Sequence, residues 1–571
     1  MRRSFDHARS ADRPWDLTLN RRRLIGTSTA ALLARGLVAG DRAAAAQEGE
    51  KIFQGGTSFP APPDGHFNAF VTSAIMPPPH FYGDLVWHPF ALYYWGTKEW
   101  LPLMGTEWAF IRTGEGSATP AASPQASPAA SPISDSPSVS GLAPIEPGAD
   151  TFQVTLRRGA KWSDGNDFTA RDVLVTFNLL RLMSNTVWRY LERVEAVDDV
   201  TVNFVMRQPS TVVQRYVLRT STQSAAIYGA WADEAAALFE QGKTIDDPEV
   251  AQLLNRFNQF RPEQTIASGP YNFDLSSITI SELSLVRNEL AFNAADVAFD
   301  RIRIFRGETD TIAPIVLSKE IDYATHGFSP AIEQSMLDSG IRVVRPPIYS
   351  GPALYINYGR WPQMADKRVR QALAMAIDRA QNGFVSLAES GVAVTYMTGM
   401  SDNFVPTWMA EESIGRLNTY PYDVDAAAAL LQEAGWTKQG DRWQMPDGTP
   451  ATFELIFPAE YADWSAAGLN VTEQLNAFGF EVAPVAVTFT QQPIDVDKGN
   501  FDLAIQAWGS SSNPHPHYSY TTTLFLHNTL AINNGGKGID FPLVQDTDVA
   551  GRVDLDQLTV DAADGLDEAA Q

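Results

Sequence analysis

The sequence predicts an α/β protein built as two lobes, with a joint near residue 346. Three observations lead there. The chain has 571 residues, room for two to four domains with sizeable cores. Strand-like stretches are followed by capped amphipathic helices, as at 152–180 and 353–379. Between them Val343-Val344 runs into Arg345-Pro346-Pro347, where fixed φ and missing donors keep the chain extended and take it out of the preceding sheet. A new strand (353–358) and a new helix then begin. Asp366 caps that helix, and Val369, Ala372, Leu373, Ala376 and Ile377 form one apolar stripe. Lys367, Arg368, Arg370 and Arg379 are expected in water.

Composition narrows the function. The net charge of −24 repels phosphate and argues against nucleic acid and anionic membrane as partners. The chain has no cysteine, which excludes disulfides, thiol catalysis and cysteine-held metal. Fourteen Trp and 17 Tyr could supply flat surfaces for sugars or peptides, although core packing accounts for most such rings.

Residues 1–47 read as an export signal. Arg21-Arg22-Arg23 precedes a modest apolar run that Arg35 interrupts, and Ala43-Ala44-Ala45-Ala46 offers a cleavage site. The pattern resembles a twin-arginine signal, and the run is too short for a stable membrane span. The stretch from 49 opens the first lobe, with aromatic-dense segments at 66–70 and 87–95. Segment 113–150 repeats Ala-Ser-Pro and lacks the apolar residues to order itself, so it is expected to be a disordered insertion. Trp108-Ala109-Phe110 before it and 152–156 after it alternate like two strands of one interrupted hairpin. Next, Asp164-Gly165 makes a tight turn and Thr169 with Asp172 makes a capping box. The helix that follows should turn Val173, Thr176, Phe177 and Leu180 inward.

The segment 152–180, with Lys161-Trp162, Asp164-Gly165, Thr169-Ala170 and Asp172-Val173, resembles the signature of extracellular solute-binding proteins of family 5. This is the dipeptide-, oligopeptide- and nickel-binding class that serves ABC importers. Further resemblances follow in order. They include Val194 to Val202, Ser268-Gly269-Pro270-Tyr271, Val286-Arg287-Asn288, Glu320-Ile321-Asp322, and Asp366 to Arg379. Tyr422-Asp423 through Gly435-Trp436 and Phe501-Asp502 through Trp508-Gly509 complete the set.

The resemblance implies a two-lobed periplasmic-binding-protein fold (type II, cluster C), with an extra subdomain on lobe one and a hinge closing on ligand. Mapped here, lobe one is 49–345, lobe two is 346–509, and 510–571 returns to lobe one. The carboxyl terminus stops within what resembles the opening of a helix that relatives complete. The implied function is binding of a peptide or oligosaccharide-like solute outside the cytoplasm, in the periplasm or at the cell surface. A monomer would deliver it to an ABC permease, with no cofactor, no resident metal and no catalysis. Peptide-binding relatives carry an acidic motif after the Trp-Gly pair that holds the ligand's ammonium group. This chain has Asn513 and His515 there, which favours a neutral or polyhydroxylated ligand, or a long peptide held by its backbone. Candidate ligand contacts are Trp508, Gly509, Ser510, Asn513 and His515, with Phe67, Asn68 and Trp95 on lobe one. Two alternatives stay open: an exported glycosidase or peptidase using paired carboxylates, and a receptor presenting ligand to a membrane sensor.

Overall fold

The computed structural model describes residues 49–62, 65–71, 74–75, 82–94, 97–113, 139–346, 350–509 and 515–567. The export-signal stretch, most of the Ala-Ser-Pro insertion, Pro347, Trp95, Ser510 and Asn513 lie outside the described residues.

The first core is built around a five-stranded sheet in the order Tyr323–Ala324, Ile52–Thr57, Arg301–Arg306, Glu282–Arg287, Tyr271–Asp274. The first three of these strands run parallel and the last two are antiparallel. Beside it a four-stranded antiparallel sheet orders Gly105–Ile111, Thr151–Leu156, Thr201–Met206 and Leu191–Asp198. The hairpin interrupted by the insertion closes as expected, with Phe110 opposite Phe152. Helix Ala170–Leu182 starts at the Thr169–Asp172 capping box. It is buried on two sides. Val173 and Phe177 enter the main core, where the Phe177 ring meets Phe204 edge-on at 4.8 Å. Val175, Leu179 and Leu182 face helices Ala225–Glu240 and Pro248–Asn258. Fully burying one such large side chain stabilises by about 1.5–3 kcal/mol.

Three of the family-like motifs of this half, around Ser163, Ser268-Gly269 and Asn288, meet in one knot. The main-chain N–H groups of Ser268 and Gly269 donate to Val86 O, and His88 N donates to Ser268 Oγ. Asn288 Nδ2 donates to Gly269 O, and Ser163 N donates to Ala267 O. Gly269 lies so close to the Leu85 carbonyl that a Cβ would collide with backbone, which explains glycine there. Gly269→Ala is therefore expected to destabilise by about 1–3 kcal/mol, read as a lower urea midpoint at unchanged slope.

The second core surrounds a four-stranded sheet in the order Ser350–Ile356, Leu503–Gly509, Thr452–Pro458, Glu481–Val487. Its motifs also interlock. Asn357 Nδ2 donates to Gly499 O and Phe501 O, both at 2.9 Å. Asp502 accepts from Trp361 Nε1 at 2.8 Å and from Glu454 N at 2.9 Å. Asp366 caps Lys367–Ala376, Asp423 caps Val424–Glu433, and the apolar stripe from Val369 to Ile377 is buried. Two of the four basic side chains depart from expectation. Arg379 donates to the carbonyls of Ala374, Val394, Thr419 and Tyr420, and Arg370 donates to Ala365 O while lying over Phe541. They tie loops to the helix by donating to main-chain carbonyls.

The carboxyl-terminal segment touches both cores. Tyr355 Oη and Thr523 Oγ1 are 3.2 Å apart, Tyr358 N donates to Ile539 O, and Ile539 enters a cluster with Tyr355 and Val496. After the hairpin Val544–Thr547/Gly551–Asp554, helix Leu555–Asp561 packs on the first core. There Arg189 pairs with Asp556 at 2.9 Å, and Ser210 Oγ donates to Ala563 O.

Candidate functional site

In open parallel sheets ligands bind beyond the carboxyl ends of the strands. Here the parallel strands of the two sheets end on segments that meet. In the first sheet, Ile52–Thr57 leads to Ser58, Arg301–Arg306 to Gly307-Glu308, and Tyr323–Ala324 to His326-Gly327. In the second, Thr452–Pro458 leads to Glu460-Tyr461, Glu481–Val487 to Phe489, and Leu503–Gly509 ends on Trp508-Gly509. The two sets touch: a Cβ on Gly327 would collide with the Asp463 carboxyl, in the first turn of helix Ala462–Phe478.

Ser350 pairs with Gly509 and Gly351 with Trp508, antiparallel, so the outgoing and returning chain lie side by side. Gly509 has φ +79°, which glycine adopts without strain. Trp508 is half-buried against the cluster of Tyr355, Ile456 and Phe501.

The remaining candidates take other positions. His515 is 2 % exposed; its Nδ1 caps the following helix by accepting from His517 N at 3.1 Å, and its ring lies 4.3 Å from that of Trp408. Asn68 is fully buried, donating to Phe257 O and Phe260 O, and Phe67 packs edge-on to Phe273 at 5.9 Å. Thus Trp508 and Gly509 lie at the joint, whereas His515 is buried against Trp408, and Phe67 and Asn68 pack inside the first half.

The acidic side chains at the strand ends were missed in the sequence. Burial, with repulsion from Asp463 and Glu460, pushes the Glu308 carboxyl up to about 7, although Ser58 donates to it. Burial pushes Asp463 up to about 6. Burial and the same carboxylates raise the Tyr461 phenol. The Tyr461 ring stacks on Phe489 at 5.9 Å and meets Trp464 edge-on at 5.6 Å. The only available signal was position directly after a predicted strand. Two cavities of about 410 and 280 Å³ lie instead beside segment 521–534, and no strand-end residue lines either. Both are broad and open, so the strand-end geometry is the better guide to the site.

Two α/β sheets with converging carboxyl edges and a doubly crossed joint define a two-lobed binding protein of the periplasmic type. The description of bacterial extracellular solute-binding proteins, family 5, matches residues 139–528, and the chain belongs to that family. It is 26 % identical over 380 residues to the glutathione-binding protein GsiB of Salmonella choleraesuis, covering 63 % of this chain and 64 % of that protein. The match thus spans just under two thirds of that relative's length. Among solved structures, the mannohexaose-bound periplasmic oligopeptide-binding protein of Thermotoga maritima superposes with a TM-score of 0.67 at 19 % identity, covering 92 % of this chain and 87 % of that one. The oligopeptide-binding protein AppA of Bacillus subtilis, in complex with a nonapeptide, gives 0.63 at 16 % identity, covering 91 % and 89 %. These likenesses establish the two-lobed fold.

Proposed function

We propose that the protein is the extracytoplasmic solute-binding component of an ABC importer, and that it delivers a peptide or oligosaccharide-like solute unaltered to a membrane permease. The observation that carries this reading is the convergence of strand carboxyl ends from two sheets at one doubly crossed joint. Relatives solved with a nonapeptide and with mannohexaose support both ligand classes. In this reading residues 1–47 export the chain by a twin-arginine-like route to the periplasm or cell surface. Residues 49–345 and 346–509 form the lobes, with 510–571 returning across the joint, and the monomer closes over its solute.

Trp508, Gly509, Ser510 and Asn513 would line the joint side of the site, with Tyr461 and Phe489 offering rings at the facing edge. Trp95 and the half-buried Phe67 would act from lobe one, whereas the Asn68 amide is buried and already donates to the carbonyls of Phe257 and Phe260. Mass spectrometry of what co-purifies with the exported protein tests the reading. Saturable binding of peptides or oligosaccharides without product is expected, and turnover would overthrow it in favour of a hydrolase. Trp508→Ala should weaken binding at least about tenfold, roughly 1.4 kcal/mol, with an unchanged melting temperature. Unaltered affinity in calorimetry would remove that ring from the site.

A further inference from the structure

The carboxyls at the lobe contact come from both sides of it. Glu308 precedes helix Thr309–Leu317 of the first lobe, and Asp463 sits in the first turn of Ala462–Phe478 of the second. Gly327 connects them: Thr309 Oγ1 donates to Gly327 O at 3.4 Å, and the Asp463 carboxyl lies directly against Gly327. Glu460 approaches from the second lobe with its Oε2 accepting from Phe489 N at 2.9 Å. The other groups facing the cluster are Ser58, the Tyr461 phenol and the His326 ring. Ring Nε2 of His326 contacts Gly307 O at 3.1 Å, and burial holds its pKa below the ordinary value. Arg306, the nearest cation along the chain, turns away to the carbonyls of Phe59 and Ile280.

We propose that Glu308, Asp463 and Glu460 form a proton-dependent latch between the lobes, which holds the closed arrangement best when Glu308 and Asp463 are protonated. The inference rests on the reading of the protein as a closing two-lobed binder. With the lobes apart, both acids return to water and to ordinary carboxylate behaviour, with pKa about 4. With the lobes together, they take the raised values already described, about 7 and about 6. Closure therefore takes up protons. The closed population rises as pH falls through about 7 and about 6, and it levels off below about 4. A solute that binds the closed form is then held more tightly in an acidified medium and released more readily in a neutral or alkaline one.

The absence of native cysteines makes the test direct. Spin labels at Glu263→Cys and Gln439→Cys, both exposed and one on each lobe, report the interlobe distance by pulsed electron resonance. In ligand-free protein the ratio of closed to open molecules should rise about a hundredfold between pH 8 and pH 5.5. The Glu308→Gln/Asp463→Asn variant should stay closed at pH 8 and lose the pH response. If that double variant fails to fold, Glu308→Gln alone should flatten the upper part of the transition. A wild-type distance that ignores pH, or a pH response that survives in the variants, overturns the latch. The same labels should also shorten their distance when the solute pool released by heat from the freshly purified protein is added at pH 8. Closure on that pool without any response to pH overturns the latch and leaves the binding-protein reading standing. Lobes that respond to neither overturn both.

Discussion

Replacing Arg219 by alanine is expected to cost about 3–5 kcal/mol, among the largest effects of any single change in this chain. Arg219 ends helix Val212–Leu218, and its guanidinium lies 3.1 Å from Asp84 Oδ2 with both side chains only 9 % exposed. Asp84 belongs to the short helix Gly83–Val86, whose backbone also carries the Ser268-Gly269 knot and accepts from the His88 ring at Asp84 O. Removing the cation takes a guanidinium 3.1 Å away from a buried carboxylate, and the penalty is that carboxylate's poorer compensation for lost water rather than the net worth of the pair. The Arg219→Ala/Asp84→Asn double variant should therefore recover much of the loss. Urea unfolding of the two singles and the double decides it. A single variant within about 0.5 kcal/mol of wild type would show that water reaches the pair.

The second large effect is expected at His517. The side chain is 1 % exposed. Its Nδ1 lies 3.0 Å from Thr559 O, and since a carbonyl only accepts, Nδ1 carries the proton. Nε2 is then the acceptor toward Tyr190 Oη and Tyr216 Oη, each at 3.1 Å. Burial pulls the ring's pKa down to about 4, in keeping with a neutral imidazole. His517→Leu preserves bulk but takes one partner from a carbonyl and two phenols, so a loss of about 2–4 kcal/mol is expected. The loss should be local first. Amide exchange should quicken in Pro516–Tyr520 and Leu555–Asp561 before the rest of the first core responds. Uniform protection across both segments would mean that His517 does not fasten the carboxyl-terminal strap.

The sequence offered His515 as a ligand contact, and folding buried its ring against Trp408. His515 gains the tilted ring of Trp408, and His517 gains two phenols, from Tyr190 and Tyr216, that lie 327 and 301 residues away in the chain. Spacing along the chain carries no information about such partners. The same holds for Arg370 and Arg379, expected in water and found on loop carbonyls. It holds most of all for Glu308 and Asp463. Each reads as an ordinary acidic residue near a helix start, where the helix dipole would favour its charge. Folding buries both and brings Asp463 and Glu460 near the Glu308 carboxyl.

By itself the sequence determined the α/β class and the caps at Thr169, Asp366 and Asp423. All of these depend on neighbours within one turn or one strand, where sterics and local hydrogen bonds decide. The family signature was legible for the same reason, since its turns and caps are local. Only the tertiary structure decided which strand ends face each other, which charges lose water, and which rings are core rather than surface. Those outcomes are set by desolvation and packing between segments far apart in the chain, and no short window of residues contains both sides of such a contact.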